Sequence, residues 1–199
     1  MNACRIGSVL LSILMLVAME GCQTLSSNTA GQLTLHSKIA PKASLTAQFG
    51  IGQYQYRDKN KLTVLLLDGP ATDPSQAVVI RMWWKPRAAR TPIDANATNA
   101  TIHYVIFTGQ DQQEVGIYSG AGFMFPRNTP GKATLKGGLW DGNLSLSDGT
   151  AGFNDLLKKA VISGRFTVRR NDMGVDQTLR QLHVLLRERL GYARLVRAN

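Results

Sequence analysis

The stretch Ile51–Pro70, IGQYQYRDKNKLTVLLLDGP, decides how the rest of the chain is read. Tyr54 and Tyr56 alternate with polar residues on an outgoing strand, Asp58-Lys59-Asn60 supplies a turn, and Leu62 to Leu67 returns as a largely apolar run closed by Asp68-Gly69-Pro70. Alternation that reverses across a short polar turn is the mark of a β-hairpin, because side chains on a strand point to opposite faces in succession.

Outward from this hairpin the same pattern recurs. Upstream, QLTLHSKI alternates at Leu33, Leu35 and, less cleanly, Ile39, and ASLTAQF repeats the pattern at Leu45 and Phe49. Downstream, strands are expected at Ala77–Lys85, Thr101–Phe107, Val115–Ser119, Gly122–Phe125, Ala133–Leu135, Leu139–Leu146 and Val161–Val168. Such a succession, punctuated by Gly, Pro and Asn and without internal repeat, predicts a mainly β domain, an antiparallel sandwich or a barrel, over residues 32–192.

One or two helices are expected to pack on the sheet. Phe153–Ala160, FNDLLKKA, reads as a short one. A longer amphipathic one starts at Asp176, spaces Leu179, Leu182, Leu186 and Leu190 along one side, and stops at Gly191. Arg180, Arg187 and Glu188 fall on its other side. Packing on the sheet is the first expectation for this helix and a place in a membrane interface is its rival. Residues 193–199 form a basic tail.

The N-terminus opens with MNACR, one positive charge at Arg5, followed by an apolar segment from Ile6 to Met19. As a helix those residues reach about 21 Å, short of the roughly 30 Å hydrocarbon core, so the layout suits a secretory leader better than a permanent span. The segment ends in Leu16-Val17-Ala18-Met19-Glu20-Gly21-Cys22, which resembles the lipobox of bacterial lipoproteins, although Glu20 stands where that family usually has a small uncharged residue. The resemblance implies a leader over residues 1–21, cleavage before Cys22, and fatty chains on the Cys22 thiol and its new amino group. It also implies an extracytoplasmic, lipid-anchored place in the cell envelope. With Gln23 rather than Asp after the cysteine, it points to the outer membrane if the cell has two. Residues 22–31, polar and small, have the composition of a flexible tether.

Removal of that leader leaves about 178 residues, enough for one domain with a real core. The chain has two cysteines, and since Cys4 leaves with the leader and Cys22 is expected to be lipidated, the domain has to stand without a disulfide. The net charge is +10, and from Lys158 onward ten Lys and Arg stand against three acids. A basic surface of this kind attracts phosphate-bearing partners, which for a tethered envelope protein are lipid head groups first, and nucleic acid is not expected.

The most suggestive stretch in the domain is AVVIRMWWKPRAAR. On a strand from Ala77 to Lys85, Arg81, Trp83 and Lys85 share one face and Trp84 points to the core, with Arg87 and Arg90 in the loop beyond. A ring between cations suits a sugar or an anionic head group, so Arg81, Trp83, Lys85 and Arg87 are the candidate binding residues; the plainer reading is that the cations cover Trp83 with their aliphatic stems.

The sequence offers little for catalysis. The three histidines, His36, His103 and His183, are far apart and sit beside no nucleophile motif, and the acids show no paired spacing. Asn96 and Asn99 in NATNAT match a glycosylation pattern that in a bacterial chain reads as a polar loop, and the glycines of Gly116–Pro126 lack the spacing of a phosphate loop and suit bulges or close packing. Asp141 and Asp148 lack the ligand order of a calcium loop, so neither metal nor cofactor is expected. The leading expectation is a non-catalytic envelope lipoprotein that binds an anionic lipid, a glycan or another envelope protein, through the Trp83 region or the basic C-terminus. The alternative is an extracytoplasmic hydrolase acting on envelope glycans. The oligomeric state has no sequence signal.

Overall fold

The computed structural model describes residues 29–58, 61–86 and 98–192. The leader, Cys22, most of the tether, the turn residues Lys59 and Asn60, Arg87, Arg90, Asn96 and the tail lie outside the described residues.

Nine strands follow one another: β1 (Gly31–Ser37), β2 (Ser44–Phe49), β3 (Ile51–Asp58), β4 (Lys61–Asp68), β5 (Gln76–Met82), β6 (Ala100–Thr108), β7 (Glu114–Pro126), β8 (Thr134–Gly149) and β9 (Lys159–Arg170). Each pairs antiparallel with its sequence neighbour, except that β2 and β3 are separated only by Gly50 and form one bent stave. β9 then pairs with β1, Phe166 opposite Gly31 and Ala160 opposite Ser37, which closes the meander into a barrel. Where β1 runs out, β9 meets β3 directly in a short parallel contact at Gln53–Arg169 and Tyr54–Arg170. Closure gives every described strand but β2, which pairs with β1 alone, a partner on both sides and so removes most of the free edge that is the usual hazard of an open sheet.

Alternation fixes two cores. Inward-facing residues from every stave meet inside the barrel, among them Leu33, Leu35, Val64, Leu66, Ile80 and Ile102, each 0% exposed. A hollow large enough for water would leave accessible surface on its lining, so this interior is filled by the chain itself. Three tyrosines reach into it and satisfy their hydroxyls at its ends: Tyr54 donates to the Lys132 carbonyl, Tyr104 to Gln76 Oε1, and Tyr118 to Asp155 Oδ1.

The second core lies outside the barrel, under helix α1 (Asp172–Leu190). Val175, Leu179, Leu182 and Leu186 cover Leu65 and Leu67 of β4, Ala77 and Val79 of β5, Val105 and Phe107 of β6, and Val115 and Ile117 of β7. This explains the unbroken apolar run in β4: Leu62, Val64 and Leu66 face the interior, while Leu65 and Leu67 face the helix. The helix begins a turn earlier than its leucine spacing suggests. Asn171 is the N-cap, accepting from the Gly174 N–H at 2.9 Å, and Asp172 Oδ1 accepts from the Tyr56 N–H at 2.9 Å, pinning that first turn to β3. At the other end Gly191, at φ 78°, donates to the Arg187 carbonyl, the left-handed stop that glycine permits.

The second expected helix does not form. Phe153 and Leu157, four residues apart and helix-like in sequence, instead fold under the barrel: the Phe153 ring lies edge-on to Tyr118 with centroids 6.2 Å apart, and Leu157 joins the interior. Asp155 holds the segment by accepting from the Lys158 N–H at 2.7 Å as well as from Tyr118. Two pairs of short expected strands are in fact single long ones, β7 and β8. The glycines between the expected pieces, Gly120, Gly137 and Gly138, are paired in register; the register shifts fall instead at Gly122, between Ala121 and Phe123, at Gly142, after Leu139, and between Ile117 and Tyr118.

Candidate functional site

Strand β5 ends at Met82, so the alternation expected to carry Arg81, Trp83 and Lys85 on one strand face stops after Arg81. Trp83 is exposed at 42% and Lys85 is exposed, both in the loop beyond the strand. Trp84, expected in the core, is half-buried against the ring of Phe123, edge-on at 6.1 Å.

Arg81 lies instead within electrostatic range of two histidines. It stands on the outer face of β5, where burial pushes its pKa below the ordinary arginine value, and its charge is felt by His103 of β6 and His183 of α1. Burial first, and then Arg81, lowers the pKa of both histidines below the usual 6.5, which favours neutral rings. His103 Nδ1 lies 3.0 Å from Ser119 Oγ, Ser119 Oγ lies 2.7 Å from Ser147 Oγ, and Ser147 Oγ donates to the Ile117 carbonyl at 3.0 Å. A serine beside a neutral histidine is half of a nucleophilic arrangement, but the chain of bonds ends on a backbone carbonyl, as a polar seam between strands does. Sequence spacing had no means of joining residues 103, 119 and 147; register sets His103 opposite Ser119, and a shift between β7 and β8 brings Ser147 to them.

Several carboxylates are likewise occupied with structure. Asp68 Oδ2 accepts from Ser75 Oγ at 2.6 Å, Glu114 accepts from Thr150, Asp148 from Tyr192 Oη at 2.7 Å, and Asp172 from Arg170 Nε at 3.0 Å. Among the described residues no group of three or more His, Cys, Asp or Glu is placed to hold a metal. Asn99, read as part of a polar loop, is fully buried: its amide donates to the Trp84 and Met124 carbonyls and accepts from the Met124 N–H at 2.7 Å, tying the β5–β6 loop to β7.

The surface that stands out is the wall opposite the helix, built from the later half of β7 with β8 and β9. Phe123 and Phe125 point outward from β7, since Met124 between them is interior. Phe123 faces Trp140 across the β7–β8 pairing, and the Trp140 and Phe125 rings lie 4.5 Å apart between centroids. Gly138 makes room for this packing, because a Cβ there would come within 2.5 Å of the Phe125 ring. Trp140 is 58% exposed.

Cations border these rings. Lys136 lies on β8, Arg165 and Arg169 on β9 opposite Gly138 and Thr134, and Arg127 just beyond β7, its N–H donating to the Lys136 carbonyl. Arg127, Lys136, Arg165 and Arg169 are exposed and, among the described residues, none is in an ion pair; the salt bridges there join Arg57 to Asp176 and Arg170 to Asp172. Two grooves, of about 380 and 660 Å³, run along this wall and share Thr29, Ala30 and Thr167 in their sides, so the chain enters the barrel between them. One is bordered by Arg127, Lys136 and Arg165 and the other by Arg169 and Arg170. The basic C-terminal part of the sequence is therefore not one surface: Arg165 and Arg169 belong to this wall, while Arg180, Arg187 and Arg189 ride on the helix.

Comparison of the chain with protein-family models, with curated proteins and with solved structures finds no match.

Proposed function

We propose that the chain is a lipid-anchored protein of the bacterial cell envelope that works by binding, with the outside of its barrel as the working surface. The observation that carries this reading is the filled interior. A barrel whose inward residues are at or near zero exposure has no internal chamber in which to carry a ligand or enclose a reaction, so recognition falls to its outer walls. The lipobox-like segment ending at Cys22 supplies the anchor, and fatty chains on that residue provide the two or more hydrophobic attachments that stable membrane residence requires. Among the described residues no helix is long and apolar enough to cross a membrane.

The test is an intact-mass measurement on the full chain expressed with its own leader in a bacterial host and extracted from the membrane fraction. The expected species begins at Cys22 and carries the added mass of a diacylglyceryl group and a further acyl chain, and Cys22→Ser moves the protein out of that fraction or leaves the leader uncut. An unmodified thiol at Cys22, or a leader retained ahead of it in the wild-type chain, overturns the reading.

A further inference from the structure

Among the described residues no element covers the aromatic and basic wall of β7, β8 and β9, and its position relative to the tether says what covers it. We propose that this wall is the face the domain lays against the anionic phospholipid surface that holds its own anchor, with Trp140 and Phe125 at head-group depth and Arg127, Lys136, Arg165 and Arg169 on lipid phosphates. The inference rests on the lipid-anchored reading above and adds to it an orientation and a partner.

Three observations converge on it. The first is chemical. Tryptophan and other aromatic rings settle at membrane–water interfaces because one part of the ring system is apolar and another is polar, and cations beside them gain from the negative surface potential of anionic lipid. Here the most exposed tryptophan packs against Phe125, the two rings tilted 53° to each other, on a wall whose exposed cations have no carboxylate partner among the described residues.

The second is the tether. Thr29 lies between the two grooves of this wall, and six residues separate it from Cys22, so that the seven steps reach at most about 25 Å when fully extended. A lipidated Cys22 thus brings the Thr29 end of the barrel to the head groups, and the nearest cations are those that border the grooves. The third is the contrast with the rest of the exterior. Outward apolar residues on β4 to β7, such as Leu65, Val79, Val105 and Ile117, are sealed by α1, whereas Trp140 on β8 is left open.

The experiment uses the mature chain from residue 22 with Cys22→Ser, which retains every strand and the helix, since these lie between Gly31 and Leu190. Its sedimentation with vesicles of neutral phosphatidylcholine is compared with vesicles containing phosphatidylglycerol. Binding to the anionic vesicles alone is expected, falling as salt is raised. Each cation near such a surface contributes about fivefold to partitioning, so Lys136→Glu with Arg165→Glu is expected to lower binding about 30-fold or more. Trp140→Ala is expected to lower it severalfold with the urea midpoint unchanged. Arg180→Glu with Arg187→Glu on the helix changes the net charge equally and is expected to have a much smaller effect, which separates this wall from general basicity. Equal losses from the two double reversals, or binding indifferent to lipid charge, overturn the proposal, as does soluble chain that ignores vesicles and is captured by purified envelope glycan instead. If the intact mass shows lipid on Cys22 while the wall variants bind unchanged, the anchor stands and the orientation falls; if the thiol is bare while vesicle binding follows the wall, the anchor falls alone.

Discussion

Two walls of one barrel carry apolar residues on their outer faces, and they are treated in opposite ways. On β4 to β7, Leu65, Val79 and Val105 are within 1% of complete burial because α1 lies over them. On the other wall, Trp140 stands 58% exposed beside Phe125, with cations around it instead of leucines above it. The first wall turns outward apolar surface into folding stability; the second keeps it available. The difference teaches that an outward hydrophobic side chain has to be judged by what the chain places over it, and that a chain able to supply a covering helix for one wall leaves the other uncovered.

Removing the helix's central contact should have the largest effect. Leu182 is fully buried against the outer faces of the strands, and Leu182→Ala is expected to cost about 2–5 kcal/mol of unfolding free energy, read as a drop in the urea midpoint with the slope retained. A loss below about 1 kcal/mol would mean that the helix is not integral to the fold.

Next is Asn99, whose amide serves three backbone groups at the junction of the β5–β6 loop with β7. Asn99→Ala strands those groups in a buried place and is expected to cost about 1–3 kcal/mol, whereas a surface asparagine would cost almost nothing. Chemical denaturation distinguishes the two.

A smaller effect, and one confined to the covered wall, follows from His103. Its folded pKa is below 6.5, so as pH falls through the unfolded value the unfolded chain takes up a proton that the folded chain refuses. Stability attributable to this residue is therefore complete above about pH 7 and declines as the pH drops toward the folded pKa. His103→Gln is expected to make the fall in urea midpoint between pH 7 and pH 5 shallower than in the wild type; parallel curves would show that the ring titrates as it does in water.

The open wall should give the smallest effect on stability. Trp140→Ala is expected to shift unfolding by no more than about 0.5 kcal/mol, because so much of the ring is already in water. A loss comparable to that of Leu182→Ala would make Trp140 part of the scaffold and erase the distinction between the walls.

Much of the covered wall was legible in the sequence, and little of the open one. The hairpin at Ile51–Pro70, the alternating strands and the Leu179–Leu182–Leu186 stripe are local patterns, and local geometry produces them. Barrel closure is not local: it depends on β1 meeting β9, at opposite ends of the domain, and alternation alone serves a sandwich equally well. Phe153 and Leu157 mimic helical spacing because a floor for the barrel needs apolar side chains a few residues apart, and nothing in that spacing says whether the backbone between them is coiled. For the site, the sequence picked out Arg81, Trp83 and Lys85 by adjacency, but the strand ends at Met82 and the charge of Arg81 bears on His103 and His183. Phe123, Phe125 and Trp140 went unnoticed as a group because they lie on different strands and are joined by the register of β7 with β8. The only hint was the glycine beside them, Gly138, whose missing side chain leaves space for a ring.

The most direct measurement is the rate at which a water-soluble thiol reagent reaches single cysteines placed on the two sides of the lipidated chain in vesicles. Lys136→Cys reports the open wall, and Val184→Cys, at a position 56% exposed on α1, reports the helix side. With anionic vesicles, labelling at position 136 should slow severalfold relative to neutral vesicles while position 184 keeps its rate. Equal rates at position 136 in both kinds of vesicle, or slowing at position 184 instead, would contradict an open wall that lies on the membrane.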